Sequence, residues 1–372
     1  MSQSIQSSVT SKRDYSLTGT ETVRAQERGL ASAEWYVTPI PRKRMKELMQ
    51  RRDGPAIRDT LIWFAMFIVL GTLAYYSWGT WWAIPAFLAY GTFYCNTGDS
   101  RWHEAGHGTA FKTSWMNEFV YQIASFLVLR PATKWRWSHT RHHTDTYIVG
   151  LDPEIAQPRP PVWRVILMEY FHLAVGPMDI VRIFRMAFGS LSDEEKSYIP
   201  ASEHRRTFWE SRVYVLIFAA IIAACLYFGS ILPAMFLVLP AFYGPWLMLS
   251  FGLCQHLGLH EDVLDHRLNT RTIYMNPVFR FLYWNMNYHI EHHMFPMVPY
   301  HALPKLHEEM KGDMPEPCKS TWEAYKEVIS ALRKQRHDPN YVIERKLPIT
   351  AQPYYYFTTG GGDNDESVRR VD

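Results

Sequence analysis

Apolar residues along the chain collect in four stretches, at residues 60–78 (TLIWFAMFIVLGTLAYYSW), 81–97, 213–228 (VYVLIFAAIIAACLYF) and 231–253. They come in pairs, each pair joined by a two-residue polar break, Gly79-Thr80 in the first and Gly229-Ser230 in the second. A helix of this length crosses a hydrocarbon layer of ~30 Å with slight tilt. Neither residues 60–100 nor residues 213–266 contain a Lys or Arg, whereas core helices of soluble proteins keep such residues at their solvent edges. The pattern therefore predicts an all-α membrane protein with four transmembrane helices in two hairpins, not four buried helices of a soluble one. Two shorter apolar runs do not cross, because about 14 residues do not span the membrane: 118–131 is predicted to be an interfacial or re-entrant helix and 162–175 a helix lying on the membrane.

Two hairpins leave the N-terminus, residues 98–212 and residues 254–349 on one side. That side holds essentially all the Lys and Arg, which makes it the cytoplasmic one. The expected organisation is a disordered segment at 1–34, a membrane domain at 35–349 whose cytoplasmic cap is built from 98–212 and 254–349, and a disordered tail at 350–372. The polar opening of the chain has no signal-peptide character, and the GGGDND-bearing tail has the composition of a solvated segment.

Composition changes the picture only modestly. Of 372 residues, 47% are hydrophobic, and a mean hydropathy of −0.21 fits four spans carrying a large polar cap. A net charge of +3 gives no reason to expect nucleic acid as a partner. The four cysteines, Cys95, Cys225, Cys254 and Cys318, show no paired spacing and read as core residues. Trp135, Trp137, Trp163 and Trp284 are read as interface anchors, with lining of a substrate site as the alternative for some of them.

The chemistry lies in the histidines. Of 16, most fall in four clusters: His103 and His107 in WHEAGH, His139, His142 and His143 in HTRHH, His256 and His260 in QHLGLH, and His289, His292 and His293 in HIEHH. On a helix, positions i, i+3 and i+4 share a face, so each HxxHH aims three imidazoles into one volume. The HEAGH pair and the two triplets together offer eight rings, more than one ion takes, and so imply two metal ions. Imidazole suits iron, copper, zinc and nickel alike, so donor type does not name the metal. Taken alone, HEAGH also satisfies the HExxH pattern of a zinc peptidase, with Glu104 as base. Glu104, Asp145, Asp152, Glu154 and Glu291 are candidates for orienting ligand rings. His172, His204, His301, His307 and His337 read as structural or exposed, and the role of His266 stays open.

WHEAGH, HTRHH and HIEHH resemble the three histidine boxes of the membrane fatty acid desaturase and hydroxylase superfamily, over roughly residues 62–311. The resemblance implies a non-haem di-iron centre between two transmembrane hairpins and a cytoplasmic cap. It also implies a further ligand pair before the third box, here His256, direct or through water, and His260, direct. The metal ligands implied are then His103, His107, His139, His142, His143, His256, His260, His289, His292 and His293. The run NYHIEHHMFPMVPYHALPKLH is similar to bacterial desaturase-like oxygenases of the rhizopine oxygenase type, which take electrons from a separate ferredoxin and reductase. Lys134, Arg136 and Arg141 are candidate docking residues for such a donor. The first box is HxxxH, one residue shorter than in many acyl-CoA desaturases, and no HPGG motif of a fused cytochrome b5 is present.

The implied enzyme uses O2, two iron ions and externally supplied electrons to attack an unactivated C–H bond of an alkyl chain, desaturating or hydroxylating a lipid acyl group at the cytoplasmic face of a bacterial inner membrane. A di-iron monooxygenase that hydroxylates or N-dealkylates a small polar molecule is the alternative within the same chemistry. A zinc-dependent membrane peptidase using HEAGH is the alternative from another class.

Overall fold

The computed structural model describes residues 13–352, which form helices joined by turns, with isolated bridges and no strand among them. The first apolar pair folds as two long helices, Asp53–Ser77 and Ala83–Gly106, packed against each other. The third stretch lies inside the 25-residue helix His204–Phe228, about 37 Å long at 1.5 Å per residue. Its end is set by Gly229, whose φ of 57° places it in the left-handed region, with Ser230 N–H donating to the Cys225 carbonyl at 3.0 Å.

Two segments, 42–77 and 201–228, are long and apolar enough to cross a membrane. Both present large apolar side chains outward, with Ile68 70% and Leu226 78% exposed, a distribution suited to lipid and poorly suited to water. At the tip of the first hairpin Tyr76, Trp81 and Trp82 are exposed, where an aromatic belt belongs. The sequence-based choice of anchors fares worse. Trp284 is buried, stacked 4.3 Å from Tyr300, while Trp135 and Trp137 pack against internal clusters.

The fourth stretch departs from the expected single span. Residues 231–253 break into Leu232–Leu237, Pro240–Tyr243 and the start of Trp246–His256. Pro240 and Pro245 are the cause, since proline lacks the N–H and its ring clashes with the carbonyl four residues back. Side chains satisfy the freed carbonyls. From the neighbouring helix Tyr90 Oη donates to Phe236 O at 3.0 Å and Tyr94 Oη to Leu237 O at 2.6 Å, while Tyr243 Oη, within the broken stretch, donates to Met235 O at 2.7 Å. The two backbones nearly touch. A Cβ placed on Gly244 would lie 2.1 Å from the carbonyl oxygen of Gly91.

The polar opening segment is also ordered from residue 13 onward, contrary to the expectation for 1–34. It forms the helix Thr20–Glu27, and Arg13 pairs with Glu21 at 2.7 Å, Glu261 at 3.1 Å and Asp262 at 2.5 Å. Thr22 Oγ1 donates to Gly150 O at 2.9 Å. This arm thus straps two distant parts of the cap together. Residues 1–12 and 353–372 lie outside the described residues, while Gln352 still donates its N–H to Asp313 Oδ1 at 2.9 Å. All four cysteines are free.

Candidate metal centre

Each histidine cluster sits on an element that aims it inward. His103 and His107 end the Ala83–Gly106 helix, the HTRHH triplet lies on Ala132–Thr144, His256 ends Trp246–His256, and HIEHH forms the short helix His289–Met294. The i, i+3, i+4 spacing does what helical geometry requires. The rings meet in two adjoining groups, His103, His107, His139, His143 and His292 in one, and His142, His256 and His293 in the other, with ligand nitrogens in each group within 4.8 Å of one another. His289 joins the second group, its Nε2 lying 3.2 Å from His256 Nε2 and 3.1 Å from His293 Nε2. The groups touch where the rings of His143 and His293 stack at 4.2 Å.

This arrangement brings together nine of the ten histidines singled out by sequence. His260 is the exception. Its Nε2 faces Glu344 Oε2 at 3.1 Å, because the helix stops at His256, Leu257 is extended, and Gly258 adopts φ 82°. The i, i+4 relation assumed between His256 and His260 therefore does not exist. His260→Ala is expected to leave metal content unchanged, measured as metal per chain; a loss matching that of a His256→Ala variant would place His260 among the ligands after all.

The electrostatics suit a cation. Burial, reinforced by the neighbouring imidazoles, holds His103, His107, His143, His256, His289, His292 and His293 well below the usual histidine range, so these rings are neutral donors. His103 Nε2 and His292 Nε2 approach to 2.8 Å. Among the described residues His107 Nε2 is buried without a hydrogen-bond partner. Converging lone pairs and an unpartnered buried nitrogen are costly unless a metal ion accepts them, and an all-imidazole set of this size fits two borderline transition-metal ions.

The outer partners fix the ring orientations. His142 Nδ1 lies 2.8 Å from Asp152 Oδ2, and His139 Nδ1 lies 3.0 Å from Glu154 Oε2. His256 Nδ1 lies 2.9 Å from Asn269 O, and His293 Nδ1 lies 3.1 Å from Thr146 Oγ1. Burial opposes the charged forms of His142 and Glu154, but Asp152 outweighs it for His142, and His139 outweighs it for Glu154, which is held at about 2. Asp152 also accepts N–H bonds from Tyr147 at 2.7 Å and Glu154 at 2.7 Å, which lock its position. Asp152→Asn is expected to weaken metal retention by about 10–100-fold, read by chelator competition; unchanged retention would remove Asp152 from this role.

Three of the suggested orienting carboxylates serve elsewhere. Asp145 pairs with Arg141. Glu291 holds the buried His307 and accepts from Thr272 Oγ1. Glu104 accepts from Thr109 Oγ1 at 2.8 Å and from the Tyr300 N–H at 2.9 Å, and burial raises its pKa to about 7. A base for a HExxH peptidase would face the metal, and this carboxyl faces Thr109 and Tyr300. The docking residues likewise differ from expectation. Lys134 is buried, Arg136 pairs with Glu118 over the Tyr121 ring, and Arg141 pairs with Asp145. Thr146 and the Asn269 carbonyl were missed; Thr146 follows HTRHH by one turn and was findable, whereas a backbone oxygen leaves no mark in sequence. His266 is buried, stacked 4.3 Å from Trp35 and 5.2 Å from the His293 ring, and burial lowers its pKa to about 3.

A cavity of about 360 Å³ opens against His103, His139 and His142, within the size range of small-molecule sites. Its apolar wall includes Trp102, Ile155, Ile166, Met248 and Leu249, and polar groups also face it: Asp99, Arg130, Gln157, Glu169 and Gln255.

The chain matches the fatty acid desaturase family model over residues 79–325. It is 23% identical over 281 residues to an sn-1 oleoyl-lipid 12-desaturase of Picosynechococcus sp., covering 64% of this chain and 73% of that protein. It is 22% identical over 252 residues to an endoplasmic reticulum acyl-lipid omega-3 desaturase (cytochrome b5) of Arabidopsis thaliana, covering 62% of each. A putative fatty acid desaturase 2-like protein of Homo sapiens is 22% identical over 303 residues, covering 73% of this chain and 62% of that one.

Proposed function

Because the chain belongs to the fatty acid desaturase family, whose members are membrane oxidoreductases of lipid metabolism, we propose that it holds two iron ions and uses O2 with externally supplied electrons to desaturate or hydroxylate an acyl group of a lipid. The observation that carries this reading is the meeting of nine imidazoles in two adjoining groups. His103, His107, His139, His143 and His292 would hold one ion, and His142, His256, His289 and His293 the other. Bound there, the pair of irons would supply an O2-derived oxidant able to take hydrogen from an unactivated C–H bond.

The chain's own groups do the rest. Asp152, Glu154, Thr146 and the Asn269 carbonyl hold the rings in the tautomer and tilt that present their free nitrogens inward. Trp102, Ile155, Ile166 and Leu249 offer an apolar wall that seats an alkyl chain beside His103 and His139 and keeps water from it. The four-span topology is part of the proposal, with the broken 231–253 stretch as the fourth crossing. In that topology the centre lies on the cytoplasmic side of a bacterial inner membrane, and a ferredoxin or similar carrier with its reductase delivers the electrons. The similarity to an oleoyl-lipid desaturase supports an acyl lipid as substrate.

The polar groups on the cavity wall, Gln157, Glu169 and Gln255, favour a second reading, hydroxylation or N-dealkylation of a small polar molecule. Metal analysis of the purified protein is expected to give about two irons per chain, and lipid profiles of cells with and without the gene are expected to differ in unsaturated or hydroxylated acyl groups. One zinc per chain would overturn both readings. Two irons with unchanged lipids would shift the assignment to the small molecule.

A further inference from the structure

Five residues before His139, Lys134 is 5% exposed, yet its ammonium has neither a hydrogen-bond acceptor nor a carboxylate partner among the described residues. Aromatic rings flank it, with Nζ 3.5 Å from the Trp135 ring centroid and 5.7 Å from that of Tyr198. A buried ammonium left without an anion is a costly arrangement. The group is not sealed in, however. It lines a cavity of about 750 Å³ together with Arg182 and Arg185, and this cavity shares Trp135, Pro153, Ile155 and Val175 with the smaller one that touches His103, His139 and His142. The two cavities thus adjoin along these residues, one bordered by the metal-centre histidines and the other by Lys134.

The carboxylates around this larger cavity are already engaged. Glu195 is held by Arg182 and Arg185 and by the Ser192 N–H. Asp152 accepts from His142, Tyr147 and Glu154, and Glu194 accepts the Leu17 N–H at 3.3 Å. Around this cavity Lys134 is therefore a buried cation without a carboxylate in contact among the described residues, Asp179, Glu154 and Glu195 acting on it only from a distance. Burial pushes its pKa down to about 7, and an anion in the cavity would restore the charged form.

We propose that Lys134 forms an oxyanion subsite that receives the phosphate or carboxylate carried by the substrate, at the end remote from the carbon that is oxidised. The inference deepens the acyl-lipid reading and rests on it. An anion held there anchors one end of the molecule while the alkyl chain runs along the shared wall to the histidines, which sets the distance from headgroup to attacked carbon. Arg182 and Arg185, neutralised by Glu195 and Asp179, shape the rim.

The test uses the full-length, iron-loaded protein in neutral detergent with dioleoylphosphatidylglycerol, oleic acid and dioleoylglycerol as probes. At least one anionic probe is expected to bind about tenfold more tightly than dioleoylglycerol, the phosphatidylglycerol if the site takes a headgroup phosphate and oleate if it takes a carboxylate. In Lys134→Gln this preference is expected to vanish while dioleoylglycerol binding persists. A second measurement needs no variant. Reductive methylation of Lys134, followed by peptide mass spectrometry, is expected to slow about tenfold with the preferred anionic probe and not with dioleoylglycerol. Equal binding of all three probes, a preference kept in Lys134→Gln, or methylation unaffected by the anion would overturn the subsite. None of these readouts requires turnover, so loss of the subsite leaves the desaturase reading to be judged by iron content and lipid profile, and the reverse holds equally.

Discussion

His292→Ala is expected to abolish O2-dependent turnover, with activity falling by more than the 10–100-fold that removing an outer partner typically costs, and to lower iron from about two per chain to one or fewer. His292 is fully buried, and its ring lies 4.7 Å from that of His103, 4.8 Å from that of His107 and 4.8 Å from that of His143. It is the one member of the third box that closes the first group. Alanine leaves a cavity lined by imidazoles that repel one another's protonated forms, and no neighbouring side chain can replace the lost nitrogen. Activity and metal per chain should be read together on the same preparation. Two irons and full activity would contradict the ligand assignment; the same holds for His142→Ala, which removes the ring anchored on Asp152.

The second large effect lies far from any ligand. Gly244→Leu is expected to destabilise the fold by at least about 3 kcal/mol, the upper end of overpacking costs. A Cβ there meets the Gly91 backbone at 2.1 Å, and a Cβ on Gly91 would meet Tyr243 at 2.2 Å. Backbone cannot swing aside as a flexible side chain can. The helix that follows, Trp246–His256, carries Met248 and Leu249 along the cavity and His256 at its end, so forcing the backbones apart also pulls His256 from its group. Unfolding in detergent and iron retention should fall together; wild-type values for both would show that the crossing gives way more easily than its distances imply.

Much of this was legible in the sequence, for identifiable reasons. HEAGH, HTRHH and HIEHH could be read because the helix period alone decides which rings share a face, and the structure shows those rings facing common volumes. His260 is not brought to the other rings, because the period does not carry past the end of a helix. Gly258 terminates the regular path, and a Cβ there would press on Ala331 at 2.7 Å. The order of residues 13–34 was invisible to composition, since it depends on Arg13 meeting Glu261 and Asp262 more than 240 positions away. Glu104 shows the same limit, because its neighbour in the motif is a ligand and its neighbours in space are Thr109 and Tyr300. Hydropathy located the 231–253 stretch but not its segmentation, although its prolines were in plain view.

That segmentation gives three phenol groups an unusual standing. Tyr90, Tyr94 and Tyr243 act as detachable caps on main-chain oxygens that the interrupted coil has abandoned. In the bilayer where the proposed four-span topology puts this stretch, there is no solvent to stand in for a missing cap. Exchanging tyrosine for phenylalanine at these places, ordinarily the mildest of swaps, would strand a carbonyl where nothing else can reach it.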